Sequence, residues 1–489
     1  MQIETDYTQI YLFPPSIEEW VPKEHPVRFI REFVDSMDLI EYGFKDQSNK
    51  EGRPSYSSNL LLKIWLYNYY EKIYSTRQIE KACQTHLPLI WLTTMNTPDH
   101  NTIWRFFKEN KSRIKKVFKQ TVQLAVKNDM VGFVLQAVDG TKIKADVSRE
   151  KTINKEDLEK ILKIVEESIE KTNSEIEKQR EEEQENPNSQ LPKNLQSRSE
   201  LKKIIKEGLE QLREEEKRSL KEYCEENLEL LEEKNRKVLS ITDKESRLIK
   251  SNGRKDFYYN VQSIVDSKDQ IIVGSIATNE ETDNHLITKM IEEGKTNSGK
   301  AAKETLGDRG YFSGEEIKRA EELSFSILVN LPENLSHKES GYKKEDFSYQ
   351  EERDCYICPK NHELNYSGSY KARKGKKNIK AYKCGQYKKC PERIKCGSIK
   401  SGRKIERYEF EGALSRQREK QKDKENQILL AKRREIVETV FAWIKHNGNF
   451  QRWLYRGLES VEAQWLLLCS SVNLRKLYRV WSKKELIWS

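Results

Sequence analysis

Residues 155–240 constrain the chain most, because they split a strand-rich stretch in two. Upstream lie the β-prone runs of "VGFVLQAVDGTKIKAD" (131–146), and "DFYYNVQSIVDSKDQIIVGSIAT" (256–278) resumes them downstream. In between, Leu158, Leu162, Val165, Ile169, Thr172 and Ile176 advance by 4, 3, 4, 3 and 4, the seam of a coiled coil. Pro187 and Pro192 interrupt that period, and Leu201, Ile205, Leu209 and Leu212 restore a helical one. A helical hairpin inserted into a discontinuous mixed core is the expected arrangement.

Around that interruption the order is strand–strand, helix, strand, helix, strand. Two β-prone runs within 256–278, one holding Val261 and Ile264 and the other Ile271–Val273, flank a polar turn in "DSKDQ", and "DNHLITKMIEEGK" has a helical period. A further strand ends in Gly-Asp-Arg-Gly ahead of a helix starting near Ser313, and "SFSILVNLP" is again β-prone. The fold class is therefore α+β.

The first 130 residues are helical and aromatic-rich. "NLLLKIWLYNYYEKIY" (59–74) is apolar around most of its circumference and predicts a buried helix. Ser75 is a good N-cap for the next helix. After the turn "NTPDHN", a helix beginning near Thr102 carries Ile103, Phe106, Phe107 and Ile114 on one side. This pair reads equally as a helix-turn-helix or as part of a plain helical bundle.

Several function classes are excluded by composition. The 489 residues suggest several units, and 36% hydrophobic against 34% charged residues leaves much of the chain solvated. No run reaches the about 18 apolar residues of a membrane span. The start, "MQIETDYTQIYLFPP", lacks a signal peptide's basic-then-apolar pattern. Eight cysteines then suggest thiols or metal ligands in an intracellular protein. A net charge of +10 favours a polyanionic partner.

Five of the cysteines fall between 340 and 410: Cys355, Cys358, Cys384, Cys390 and Cys396. Cys355-x2-Cys358 has zinc-knuckle spacing, and two of the later three would complete a tetrahedral structural zinc site, with His362 a substitute. Free thiols are the competing reading, because the later spacings are irregular. Residues 371–400 hold twelve Lys or Arg against one acid, Glu392, with Tyr370, Tyr382 and Tyr387 interleaved or adjacent. That composition suits nucleic-acid backbone contact.

Three acids remain. Asp139 follows a β-prone run and precedes a Gly, so a hairpin turn explains it as well as a metal site does. Asp308 closes a later strand, where a strand-to-helix turn is the plain reading. Glu438 lies on a helix whose apolar face is Leu430, Val437, Val440 and Ile444. Arg434, Glu438, Phe441 and Lys445 step by 4, 3 and 4 along an adjoining stripe. Two carboxylates at strand ends and one on a packed helix suit phosphoryl transfer with two divalent cations roughly 4 Å apart. Asp146, Asp266 and Asp283 read as turn or cap residues. Glu435 and Glu462 are the rival third acids, but only Glu438 shares the stripe with Arg434 and Lys445.

"VDGTKIKAD", "GDRGYFSGEE" and "RREIVETVFAWIK" resemble, in this order, the three acid-bearing segments of the DDE transposases of bacterial insertion sequences. The third segment is similar to that group's Tyr-x2-Arg-x3-Glu-x6-Lys signature, except that Ala431 stands at the tyrosine position. "PDHNTIWRF" and "SSVNLRKL" resemble its flanking segments. The resemblance implies a ribonuclease H-like mixed-sheet core in two early parts, 131–152 and 251–338, closed by a C-terminal helical part, 411–489. It further implies a helical N-terminal DNA-binding domain (1–130), with a helical coiled-coil insertion (153–250) and a cysteine-rich basic insertion (339–410).

The resemblance also implies cut-and-paste cleavage of double-stranded DNA at terminal repeats and strand transfer to a target. Asp139, Asp308 and Glu438 would hold two magnesium or manganese ions. Arg434 and Lys445, with Asn101, Arg105 and Lys108 on the N-terminal helix, would contact DNA. A homodimer on DNA in the bacterial cytoplasm, without membrane attachment, is expected. Trp443 or Trp453 would stack a flipped base, unless each is simply core. The competing functions are a ribonuclease H-like nuclease without strand transfer and a non-catalytic DNA-binding repressor.

Overall fold

The computed structural model describes residues 16–45, 55–148, 151–177, 214–233, 236–251, 253–330, 341–371, 378–396 and 402–488. Of the expected hairpin, the side chains of Thr172 and Ile176, both prolines, Leu201, Ile205, Leu209 and Leu212 lie outside the described part.

Five helices open the chain: α1 (Pro26–Asp35), α2 (Ser58–Tyr70), α3 (Thr76–Thr85), α4 (Leu87–Leu92) and α5 (His100–Lys127). β1 (Leu135–Lys144) and β2 (Thr152–Asn154) follow, then α6 (Lys155–Glu177), α7 (Glu214–Glu233) and β3 (Val238–Ser240). Next come β4 (Arg247–Ser251), β5 (Arg254–Asp266), β6 (Ile272–Thr278), α8 (Ile287–Ser298), β7 (Glu304–Gly307), α9 (Gly314–Glu322) and β8 (Ile327–Val329). β9 (Ser348–Gln350), β10 (Cys355–Ile357), β11 (Glu363–Lys371), β12 (Asn378–Cys384) and β13 (Lys404–Tyr408) precede α10 (Glu411–Lys422), α11 (Lys424–Ala442) and α12 (Leu458–Trp481). The chain is a mixed α+β protein that divides into two compact units. One comprises Met1–Thr282, Met290–Ala302 and Arg434–Ser489, and the other Asp283–Lys289 and Lys303–Arg433.

In the first unit β5 is the central strand. β1 pairs antiparallel along one edge, and β4 and then β6 pair antiparallel along the other. β5 has the composition of a doubly covered strand, and from Phe257 to Asp266 it is buried except at Tyr258, half-buried. α12 packs on β6, α2 and α5. Its Asn473 amide accepts from the Ile272 backbone N–H and donates to the Ile272 carbonyl, both at 2.9 Å. The residue thereby satisfies buried backbone groups that would otherwise be orphaned. α2 is buried from Leu61 to Tyr70 apart from half-buried Lys63, as its all-round apolar sequence predicts. Ser75 caps α3 through the Gln78 N–H at 3.3 Å, and Asp99 caps α5 through the Thr102 N–H at 2.7 Å. α6 and α7 pack together, burying Leu158, Ile161 and Val165 with Leu220, Cys224 and Leu231.

In the second unit β7 and β8 pair in parallel, joined through α9. β13-β12-β11-β10-β9 form a separate antiparallel sheet. On one face Phe347, Tyr356, Leu364, Tyr382 and Ile405 make a small core. Asp354 anchors it, accepting from the Tyr349 and Tyr382 hydroxyls at 2.6 Å each.

Candidate active site

β1 runs unbroken through Asp139 and Gly140, which overturns the expectation that this Asp-Gly pair ends a strand in a hairpin turn. Asp139 pairs with Ser263 and Gly140 with Gln262 on β5. Gly140 has a close neighbour here: the Gln262 side-chain amide lies across it and would have to move to admit a Cβ. Asp139 is half-buried and shares its face with Ser263 and Ser275, whose hydroxyls meet at 2.7 Å beside Cys469 of α12.

The helix carrying Glu438 changes character just before Lys445. α11 ends at Ala442, and Trp443–Asn447 form a π turn, a feature frequent at functional sites. Lys445 is half-buried. Burial pushes its ammonium below the ordinary lysine range, and the Asp139 carboxylate opposes that shift. The lysine thus lies within electrostatic range of Asp139. Upstream, Arg434 and Glu438 are exposed and 3.8 Å apart, an i,i+4 pair of little energetic weight. Val437, Val440 and Ile444 form the expected buried face. Phe441 departs from the expected stripe: it is buried and stacks on Trp465 with ring centroids 6.0 Å apart. Widening the last turn to i→i+5 spacing alters the phase between Lys445 and the preceding α-helical residues.

Asp308 follows β7 and caps a short 3₁₀ turn, accepting from the Gly310 N–H at 2.8 Å. Asp283 also lies against Gly310, so two carboxylates flank that glycine. The sequence offered no sign of this, since 25 residues (308 − 283) separate the two acids. Asp146 is held by Arg452 at 2.8 Å and Arg456 at 3.0 Å. Asp266 accepts the Gly132, Phe133 and Lys268 N–H groups, in keeping with a cap role. Trp453 is fully buried, as a core residue would be, whereas half-buried Trp443 has Lys72 and Arg475 over its ring, at 5.7 and 4.8 Å. Glu435 is exposed, and its backbone carbonyl accepts from Gln270.

Strand register bears on the expected zinc set. Cys355 pairs with Asn365, whereas Cys384 pairs with Leu364, the next residue along β11. Alternate residues of a strand face opposite sides, so Cys355 and Cys384 lie on opposite faces of the sheet. Among the described residues, no three His, Cys, Asp or Glu side chains stand close enough to hold a metal ion as a group. No described helix is long and apolar enough to cross a membrane.

Two family comparisons bear on this geometry. The transposase DDE domain family matches residues 357–478, and a second transposase domain, DUF772, matches residues 15–109. Arg434, Glu438 and Lys445 fall inside the first match and Asn101, Arg105 and Lys108 inside the second, while Asp139 and Asp308 lie outside both. No curated protein matches the sequence. The two matches support an insertion-sequence DDE transposase. They support a transposase role in general terms, and that family implies action on DNA.

Proposed function

We propose that this transposase cuts double-stranded DNA at the terminal repeats of its element and transfers the freed 3′ ends to a target. Asp139, Asp308 and Glu438 are assigned as the carboxylates that hold two magnesium or manganese ions. Hard oxygen donors suit these cations. When bound, the ions would activate the attacking oxygen and stabilise the leaving one.

The observation that carries this reading is that Lys445, on the segment that bears Glu438, lies within electrostatic range of Asp139 on β1. It links the segment bearing Glu438 to the strand bearing Asp139, the first and third acids of the signature. Lys445 supplies Asp139 with a positive neighbour. The exposed Arg434–Glu438 pair costs little to open, so Arg434 can turn to a DNA phosphate and Glu438 to a cation. An antiparallel β1-β5-β6 meander followed by helix-linked parallel strands supports a ribonuclease H-like core.

The N-terminal segment 1–130 is proposed to bind the element ends. Asn101, Arg105 and Lys108 are exposed along one stripe of α5, where a phosphate backbone can reach them. Paired ends require a homodimer on DNA, acting on the bacterial chromosome.

The test is a cleavage and joining assay on end DNA taken from the repeats flanking the gene. Nicking and joining of the 3′ ends are expected with magnesium, and neither after chelation. Cutting without joining would instead indicate a nuclease, and binding without cutting a repressor.

A further inference from the structure

We propose that the second unit contains a structural zinc site formed by Cys358, Cys384, Cys390 and Cys396, without Cys355. The proposal is independent of the catalytic assignment. Strand register supplies the first argument. Tyr356, Leu364 and Cys384 occupy successive cross-strand positions on one face, whereas Cys355, Asn365 and Lys383 occupy the other. Cys358 and Cys384 are both buried in the small core on the first face, and Cys396 packs against it.

Proximity supplies the second. Cys396 lies within electrostatic range of the Cys390, Cys358 and Cys384 thiols, whereas the charged groups that act on Cys355 are Glu363, Arg353 and Asp354. All eight cysteines are free, so no disulfide competes for these thiols. The third argument is the turn after β10. The Lys360 and His362 N–H groups both donate to Cys358 Sγ at 3.3 Å, and the Cys358 N–H donates to the His362 carbonyl at 2.9 Å. Amides aimed at a sulfur stabilise its thiolate, the form that binds metal.

The four thiols are neighbours rather than a closed coordination group. Zinc would complete the site, drawing the sulfurs to about 2.3 Å from the ion and releasing their protons to solvent. A sheet of five short strands with a core of a few residues gains most from such a staple. It would also pin the basic turn that carries Lys388, Lys389, Arg393 and Lys395.

The test is elemental analysis of the purified full chain, paired with cobalt(II) titration of metal-free protein. One zinc per chain is expected, together with the intense thiolate-to-cobalt absorption of a tetrahedral four-sulfur site. Cys355→Ser should retain both signals, and Cys358→Ser, Cys384→Ser, Cys390→Ser and Cys396→Ser should each lose stoichiometric zinc. Absence of zinc and of the cobalt bands from the wild-type chain would overturn the proposal. So would loss of both signals in Cys355→Ser, a reading that does not depend on whether the other four variants fold.

Discussion

Two sheets of this protein solve the same problem by different means. The β1/β4/β5/β6 sheet is covered by a long helix, and its central strand is almost wholly buried. Polar residues lie in its interior: Ser263 and Ser275 bond to each other, and Asn473 of α12 bonds to the Ile272 backbone. The β9–β13 sheet has a core of a few side chains, and polar anchors such as Asp354 lie at its margin. A sheet with that much apolar cover can carry a carboxylate such as Asp139 without losing its shape. A thin one depends on charge pairs and, by the proposal above, on a metal.

The largest stability effect is expected in the covered sheet. Asn473→Ala should destabilise the fold by roughly 2–4 kcal/mol, because it leaves the Ile272 N–H and carbonyl unsatisfied in the interior. Chemical denaturation would measure it, and a loss below about 1 kcal/mol would mean that water replaces the amide.

A smaller, pH-dependent effect is expected in the second unit. Glu411 is buried, which opposes its ionisation, but Lys344 at 2.8 Å and Arg418 at 3.0 Å outweigh burial and hold its pKa below the ordinary glutamate range. A depressed folded-state pKa stabilises the protein above the unfolded value, and that stability is lost as pH falls through the folded one. Glu411→Gln should therefore cost roughly 2 kcal/mol at neutral pH and progressively less in acid. The cost stays below that of a fully buried pair because the cations remain 29% and 28% exposed. Equal losses at pH 7 and pH 3 would contradict the ion-pair account.

The smallest effect on stability is expected from Arg105→Ala with Lys108→Ala, within about 0.5 kcal/mol for exposed positions. End-DNA binding should weaken nonetheless, with the slope of log affinity against log salt falling by roughly 2. Unchanged binding would make this segment a plain helical bundle.

Much of the covered sheet was legible in the sequence. The two runs of β5 and β6 and the polar turn between them follow from β-prone residues bounded by "DSKDQ". α2 was legible because an all-round apolar helix can only be interior. The continuation of β1 through Asp139-Gly140 was not, since that dipeptide reads as a turn until Gln262 is seen lying across the glycine. Nor was the face of Cys355, which is set by its register with β11 rather than by the spacing to Cys358. The π turn at Trp443–Asn447 also left no mark in the apolar period, so the approach of Lys445 to Asp139 emerged only from the structure. Spacing along a chain defines a helix stripe; it does not define which strand that stripe meets.

The central claim is that Glu438, and not its neighbour Glu435, completes the catalytic carboxylates. The two are three residues apart on one helix and both are exposed, so their surroundings are alike. Magnesium-dependent cleavage of element-end DNA by Glu438→Gln and Glu435→Gln, compared side by side with DNA binding by both, tests it directly. Glu438→Gln should bind DNA as wild type does and fail to cut, because an amide lacks the charge that a divalent cation requires. Glu435→Gln should cut at a substantial rate. Normal cleavage by Glu438→Gln would contradict the assignment of the third acid.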